Sequence, residues 1–273
     1  GLGDVYKRQR KYKSGFIAPH NEKRNRIVFG APGTGKSYLL NADKDLLLGS
    51  NSDDYERVTF HADYSYSQFV GTYKPISTMS GEIAYKFVPG PFMRILVKAY
   101  KNIIDSTDTN GQIDQTKIRP FVLLVEEINR AHTATVFGDV FQLLDRNKDG
   151  ISEYEIQPSE DIRQYLAEKI GGSAEDYFSI QLPDNMFIWA TMNSADQGVF
   201  PMDTAFKRRW NFNYIGIDDD EITEDYTGTK VENIKLRFTL NGNVIRWNVL
   251  RRAINAKLSS DTDDIRAHED KPA

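Results

Sequence analysis

The sequence predicts an α/β fold in which helices cover both faces of a central parallel sheet. Runs that are apolar throughout, such as RPFVLLV and NMFIWATMN, are typical of strands that are buried on both faces. Segments with a helical period separate these runs, and a crossover helix is the usual connection between parallel strands. With 273 residues, 40% of them hydrophobic and 27% charged, the chain can form one large domain and a small second one.

Each element follows from its local pattern. RIVFG (26–30) predicts the first strand, and SYLLNADKDLLL predicts the helix after a glycine loop. ERVTFH predicts a second strand because it is rich in strand-forming residues. EIAYKFVPG alternates polar and apolar residues like half of a β-hairpin, and Pro91 can open the helix PFMRILVKAYKNII.

The second half of the chain continues the alternation. TVFGDVFQLLDR and DTAFKRRW predict helices between RPFVLLV, NMFIWATMN and a last strand, NFNYIGI. IRWNVLRRAINAKL predicts an amphipathic helix near the carboxyl end. We expect a turn at Asp149-Gly150 that leads into an inserted strand, ISEYEI.

Composition excludes several classes of protein. The net charge of −4 gives no overall basic field for nucleic acid. The chain has no cysteine, which excludes disulfides and thiolate metal sites, and its four histidines lack zinc-ligand spacing. No apolar run reaches the roughly 18 residues that indicate a transmembrane helix. We therefore expect a cytoplasmic protein with no membrane partner.

The motif GAPGTGKS matches G-x-x-x-x-G-K-[ST] in full, with a predicted strand before it and a predicted helix after it. Backbone N–H groups of such a loop cradle phosphates, the lysine adds a point charge, and the hydroxyl faces Mg²⁺. The predicted nucleotide-binding residues are Gly30, Ala31, Pro32, Gly33, Thr34, Gly35, Lys36, Ser37 and Tyr38.

In FVLLVEE (121–127), two glutamates follow directly after a run of five apolar residues. Ionised carboxylates are rarely buried without a positive partner, and Lys36 with Mg²⁺ would supply one. Glu126 is predicted to hold Mg²⁺ through water together with Ser37, in a position where P-loop folds usually have aspartate. Glu127 is predicted to be the base that orients the attacking water.

Together, NRIVFGAPGTGKS, FVLLVEEINRA and MFIWATMNSADQGVFPMDTAFKRRW resemble an AAA+ ATPase, and most closely the McrB-like branch grouped with the dynein-related AAA ATPases. The resemblance covers roughly residues 24–271. It implies a five-stranded sheet of order 5-1-4-3-2 with β-hairpin insertions. It also implies an AAA+ core over 24–217 and a partial helical lid over 218–273. Residues 1–23 are expected to be a tail or linker, either non-native sequence or a flexible terminus.

The resemblance also implies roles for single residues. Asn193 falls at the sensor position, and Asp196 completes the family's MNxxD signature, where Gln197 replaces a frequent basic residue. Arg208 and Arg209 fall where the family has its arginine finger, which acts on a neighbouring subunit's nucleotide. The sequence does not decide between these two arginines. Asn129 and Arg130 remain open between a subunit contact and an ordinary surface position.

The function implied is Mg²⁺-dependent hydrolysis of ATP or GTP by a homo-oligomeric ring, expected to be a hexamer. In the McrB-like family such a ring drives modification-dependent DNA restriction with a separate, McrC-like nuclease subunit. Any contact with DNA would then be made by the whole assembly. Two alternatives stay open: a MoxR-like ATPase that remodels protein complexes, and a nucleotide-gated binding module with little turnover. ATP is favoured over GTP only because most of the superfamily uses it.

Two segments imitate other sites. DRNKDGISEYEI has the first half of a calcium loop, but Ile156 stands where the bidentate carboxylate is needed. The aromatic residues of DYSYSQF could stack on bases, although packing is the commoner use of such residues. Neither segment is taken as a functional site.

Overall fold

The structure is a computed structural model that describes residues 12–19, 22–49, 51, 53–77, 83–194 and 198–216, with short stretches at 223–224, 230–231, 237–240 and 243–246 and the single residues 250, 253, 254 and 257. The chain divides into two compact units. The first consists of Gly1–Pro32 and Lys36–Tyr214, and the second of Gly33–Gly35 and Ile215–Ala273.

A five-stranded sheet forms the centre of the fold. Its strands are β1 (Asn25–Gly30), β2 (Tyr55–Thr59), β5 (Phe121–Glu126), β6 (Met186–Asn193) and β7 (Asn211–Ile215), and a hairpin is formed by β3 (Gly71–Ser77) and β4 (Ile83–Pro89). The sheet order is β2-β5-β6-β1-β7, and β2/β5, β5/β6 and β1/β6 pair in parallel. Read from β7, this is the predicted order 5-1-4-3-2, which is confirmed.

Helices connect these strands. They are α1 (Lys36–Leu48), α2 (Tyr66–Phe69), α3 (Pro91–Asp105), α4 (Thr133–Phe137), α5 (Glu160–Ile170) and α6 (Thr204–Lys207). α1 packs on β1, β5 and β6, and α3 packs on β2, β5 and β6. Within β5, Leu123 and Val125 join the core cluster that contains α3, while Val122 and Leu124 are buried outside that cluster. Strands buried on both faces explain why their sequences are apolar throughout.

The helix predicted over TVFGDVFQLLDR is shorter than expected. α4 ends at Phe137, and Gly138–Leu144 forms a 3₁₀ helix. Gly138 has φ of 53°, and a Cβ there would lie 2.7 Å from the Tyr66 ring. Glycine is the residue that adopts this backbone conformation without cost. The residue type at position 138 therefore allows the α-helix to end there.

The inserted strand predicted over ISEYEI is wrong. This segment makes only isolated bridges, Arg146 to Ser152 and Ile156 to Ile180. The predicted turn is present: the Asn147 side-chain oxygen accepts from the N–H groups of Asp149 and Ile151. Helix α5 is not predicted from the sequence, and its Tyr165 ring packs 5.1 Å from that of Phe87 in the hairpin.

A segment inside the predicted amino-terminal tail packs on the core. Tyr12 is 4% exposed and belongs to the hydrophobic core. The Ser14 hydroxyl donates to Asp184 Oδ1 at 2.6 Å, and the Gly15 N–H donates to Asp184 Oδ2 at 2.7 Å. One buried carboxylate therefore fixes this stretch of chain.

The second unit is described only in part. It contains the antiparallel pairs β8 (Thr223–Glu224) with β9 (Lys230–Val231), and β10 (Arg237–Leu240) with β11 (Asn243–Arg246). Ile245 lies in β11, so the amphipathic helix predicted to begin there is wrong at its start. Most of the predicted lid lies outside the described residues. Within the described part of the chain, no helix is long and apolar enough to cross a bilayer.

Candidate nucleotide-binding site

The glycine loop lies between β1, which ends at Gly30, and α1, which begins at Lys36. Gly33 and Gly35 have φ of 79° and 86°, in the left-handed region that favours glycine. Lys36 Nζ donates to the Gly30 carbonyl at 3.2 Å and to the Ala31 carbonyl at 2.7 Å. The ammonium group therefore binds the loop's own oxygen atoms, which a nucleotide phosphate could replace.

Lys36 is only 6% exposed. Burial lowers the pKa of Lys36, and the negative charges of Glu127 and Glu126 oppose that shift. The charges of Glu126 and Glu127 thus act on the buried ammonium group of Lys36. This arrangement supplies the positive partner that the sequence of FVLLVEE requires.

Glu126 is the last residue of β5 and is held by two hydroxyl groups. Its Oε2 atom accepts from Ser37 Oγ at 2.7 Å and from Thr191 Oγ1 at 2.6 Å. Arg57 Nη1 lies 3.7 Å from Oε1. The longer side chain of glutamate therefore still reaches the hydroxyl at the start of α1.

Glu127 has an unusual backbone. Among the residues that the structure describes, it is the only one besides glycine with a positive φ, at 55°, a conformation that costs on the order of 1–3 kcal/mol. Asn193 Nδ2 lies 2.7 Å from both carboxylate oxygens of Glu127. The Glu127 N–H donates to Thr191 Oγ1 at 3.0 Å. Strained backbone with a well-held carboxylate is typical of a functional position.

Asn193 ends β6, beside the glycine loop. The next residue, Ser194, donates its N–H to the Gly30 carbonyl at 3.1 Å. The buried side chain of Asn129 donates to the Asn193 carbonyl at 2.9 Å. The Asn129 side chain therefore makes a contact within its own subunit and holds the backbone of Asn193, the predicted sensor residue.

The two candidate arginines differ in their surroundings. Arg209 Nη2 lies 2.7 Å from Asp145 Oδ2, with a side chain only 7% exposed, and its guanidinium lies 4.0 Å from the centre of the Phe141 ring. Arg208, by contrast, is exposed. The Arg209 carbonyl accepts from the Asn25 side chain, so both arginines lie near the amino end of β1.

The position of Arg208 and Arg209 near the amino end of β1 separates both arginines from the carboxyl end of the same strand. β1 runs from Asn25 to Gly30, which at about 3.3 Å per residue spans roughly 17 Å. The glycine loop leaves the carboxyl end of β1, and the arginines lie at the other end.

Other predicted site residues have separate places. Asp196 and Gln197 lie outside the described residues. Gly33, Thr34 and Gly35 belong to the second unit, and Tyr38 is an exposed residue of α1. Thr191, which contacts both glutamates, was missed by the sequence analysis. The available signal was a hydroxyl residue in the apolar strand MFIWATMN.

The donor atoms suit Mg²⁺. Ser37 Oγ and Glu126 Oε2 are hard oxygen donors 2.7 Å apart, and Mg²⁺ is usually held by one or two carboxylates with substrate phosphates and retained waters. Among the described residues there is no cluster of three or more histidine, cysteine or acidic side chains that could hold a metal. The oxygen donors of Ser37 and Glu126 therefore match the ligands that Mg²⁺ prefers.

A strand, a glycine loop, a buried lysine at a helix start and a carboxylate pair on the next strand but one define a P-loop nucleoside triphosphatase. Within this class the chain belongs to the AAA domain family, dynein-related subfamily, whose model matches residues 25–210. The prediction of an AAA+ ATPase is thereby confirmed.

Two relatives carry names from restriction systems. The chain is 43% identical over 256 residues to the type II restriction enzyme BsuMI component YdiS of Bacillus subtilis (strain 168), covering 86% of this chain and 68% of that protein. It is 26% identical over 191 residues to the EcoKMcrB subunit of the type IV methyl-directed restriction enzyme of Escherichia coli (strain K12), covering 70% of this chain and 35% of that protein. The predicted likeness to McrB is confirmed.

Proposed function

We propose that this chain is a Mg²⁺-dependent nucleoside triphosphatase that serves as the motor subunit of a modification-dependent DNA restriction system. The proposal rests on one arrangement: Ser37 hydrogen-bonds to Glu126, Asn193 hydrogen-bonds to Glu127, and both glutamates interact with the charge of Lys36. The restriction-enzyme names of the two relatives support the biological setting. The proposed organisation is an AAA+ core over 24–217 and a partial lid over 218–273, with Tyr12, Ser14 and Gly15 of the predicted 1–23 linker packed against the core.

Each side chain has a proposed task. Lys36 exchanges the Gly30 and Ala31 carbonyls for oxygens of the β and γ phosphates. Ser37 and Glu126 hold Mg²⁺, directly or through water. When bound, Mg²⁺ neutralises charge on the phosphate oxygens.

Glu127 is the proposed base. It orients a water whose oxygen forms a bond to the γ-phosphorus, while the bond from that phosphorus to the bridging β-phosphate oxygen breaks. The water's proton goes to Glu127, and the electron pair of the broken bond stays on the nucleoside diphosphate. Asn193, which holds both oxygens of Glu127, would turn its amide to the γ-phosphate when a nucleotide binds. Glu127 would then be free to bind the attacking water.

The alternative of a gated module with little turnover rested on glutamate in place of aspartate at 126. The 2.7 Å contact between Ser37 and Glu126 argues for turnover, because the longer side chain still reaches the metal-binding hydroxyl. A loop of this kind binds phosphates and not the base, so it does not distinguish ATP from GTP. ATP remains the proposed substrate, with GTP as the alternative.

We propose Arg208 as the finger that acts on a neighbouring subunit, because Arg209 is already engaged by Asp145 and Phe141. This makes the active form a homo-oligomeric ring, proposed to be a hexamer. Arg208→Ala should leave the free energy of unfolding within about 0.5 kcal/mol of wild type but lower hydrolysis by roughly 10³-fold or more. Arg209→Ala should destabilise the fold by on the order of 3 kcal/mol, since it leaves Asp145 unpaired.

Mixing two inactive variants tests the trans arrangement. Arg208→Ala has an intact loop, and Lys36→Ala has an intact arginine, so mixed rings should regain activity that neither variant has alone. Hydrolysis measured against mixing ratio is the readout. If mixing restores nothing while both variants assemble with wild-type subunits, the finger is not Arg208 or does not act in trans.

Stimulation of hydrolysis separates the motor from the remodelling ATPase. Phosphate release is measured with ATP and with GTP. Each nucleotide is tested alone, with methylated or unmethylated duplex DNA, and with unfolded casein as a protein client. Stimulation by methylated DNA is expected for the restriction motor. Stimulation by casein without a response to DNA would favour remodelling of protein complexes.

A further inference from the structure

We infer that Thr191 is a positioning residue that sets the geometry of both glutamates through one hydroxyl group. The inference rests on the proposed function, because it concerns the same hydrolytic site. Thr191 lies in β6, is 1% exposed, and contacts Glu126 and Glu127 from the neighbouring strand. It is therefore buried against the two residues that hold the metal and activate water.

The direction of both hydrogen bonds is fixed by chemistry. The Glu127 backbone N–H can only donate, so Thr191 Oγ1 accepts from it at 3.0 Å. The hydroxyl has one proton, which it donates to Glu126 Oε2 at 2.6 Å. Thr191 thus binds the Glu126 side chain and the backbone of Glu127 at the same time.

Side-chain hydrogen bonds of Thr191 connect β5 and β6 beyond the last paired residues of these two strands. The parallel register of β5 and β6 runs as far as Val125 opposite Ala190. The next residues are Glu126 and Thr191, which meet through side chains. Beyond them the chain turns at Glu127, which has φ of 55° and sends its N–H towards β6. A side-chain hydroxyl there anchors the turn that aims the Glu127 carboxylate.

Glutamate at 126 makes this anchor more important. It has one more rotatable bond than aspartate, and fixing that bond costs conformational entropy. Ser37 also donates to Glu126 Oε2, but it is the proposed ligand of the metal ion. If Ser37 turns to the metal, Thr191 remains as a hydroxyl that holds the Glu126 side chain in place.

The experiment uses Thr191→Val, which keeps the shape and removes the hydroxyl, and Thr191→Ser, which keeps the hydroxyl. Thr107→Val is the matched control, because Thr107 donates to the Ile103 carbonyl at 2.6 Å in α3, outside the site. Each protein is titrated with Mg²⁺ while binding of a fluorescent non-hydrolysable ATP or GTP analogue is followed. Single-turnover hydrolysis and thermal unfolding without ligand are measured in parallel.

For Thr191→Val we expect the half-saturating Mg²⁺ concentration to rise and the single-turnover rate to fall, each by about 10- to 100-fold, as for other residues that orient metal ligands. Nucleotide binding without metal should stay close to that of wild type, since the hydrogen bonds of the Thr191 hydroxyl go to Glu126 and Glu127. Thr191→Ser should restore the Mg²⁺ dependence, and Thr107→Val should leave it unchanged.

Two results would overturn the inference about Thr191 and leave the proposed function intact. One is a wild-type Mg²⁺ dependence in Thr191→Val. The other is a loss of nucleotide binding that is equal with and without metal, together with lower thermal stability, which would mark a purely structural hydroxyl. Wild-type protein that binds neither nucleotide would instead overturn the proposed function, and this inference with it.

Discussion

Replacing Lys36 by alanine is expected to abolish detectable nucleotide binding. The lysine ammonium is buried and already hydrogen-bonded to the Gly30 and Ala31 carbonyls, so it is preorganised for phosphate. Two charge-assisted hydrogen bonds contribute roughly 3 kcal/mol or more together, and their loss weakens binding by about 100-fold or more. Thermal unfolding with Mg-ATP and with Mg-GTP measures this, because a ligand at about 100 times its Kd adds roughly 2.7 kcal/mol to wild type.

Lys101→Ala is the matched control for Lys36→Ala. Lys101 is exposed in α3 and pairs with Asp105 at 3.0 Å, so the same chemical change there should leave the ligand-induced shift intact. A shift retained by Lys36→Ala would remove the glycine-loop assignment. In wild type, a shift with ATP alone would support the proposed substrate, and a shift with GTP alone would identify GTP as the substrate.

The sheet and the glycine loop could be predicted because their signals are local. An apolar strand, a glycine loop and a helix occupy adjacent positions, and the physics of phosphate binding needs that order. The acidic pair was also predictable, since buried carboxylates need a positive partner and Lys36 was the obvious candidate. The structure places that lysine where burial lowers its pKa and both glutamates raise it.

Where prediction failed, single residues or distant contacts decided the structure. At Gly138, where α4 ends, φ is positive and an added Cβ would lie 2.7 Å from the Tyr66 ring. A helical pattern in the sequence does not show this. In the second unit, Asn241-Gly242 stands between the paired residues Leu240 and Asn243. That dipeptide is a usual sequence signal of a two-residue hairpin, whereas the amphipathic pattern that begins at Ile245 favours a helix.

The two arginines show what sequence cannot supply. Arg208 and Arg209 are adjacent and chemically identical, and the family motif covers both. Only the fold brings Asp145 and Phe141 to Arg209 and leaves Arg208 exposed. Thr191 is a similar case, because its role depends on the neighbouring strand's register and not on its own neighbours in sequence.

Glu127→Gln is expected to bind nucleotide normally and to lower hydrolysis by about 10²- to 10⁴-fold, the usual contribution of a general base. Glutamine keeps the size of the side chain and an oxygen that can accept from Asn193, so the site should stay assembled. What it lacks is the ability to take a proton from water. Ligand-induced thermal shifts measure binding, and phosphate release in a single turnover measures the chemical step.

Glu126→Gln should have a different signature, because its carboxylate is proposed to hold Mg²⁺ with Ser37. Binding should become weaker in the presence of Mg²⁺, whereas Glu127→Gln should retain it. Glu168→Gln, on the exposed face of α5 beside Lys169, carries the same change of charge and should behave as wild type. If Glu126→Gln traps bound nucleotide while Glu127→Gln still turns over, the roles of the two carboxylates are reversed. In that case the left-handed turn at Glu127, and not the end of β5, would deliver the metal ligand.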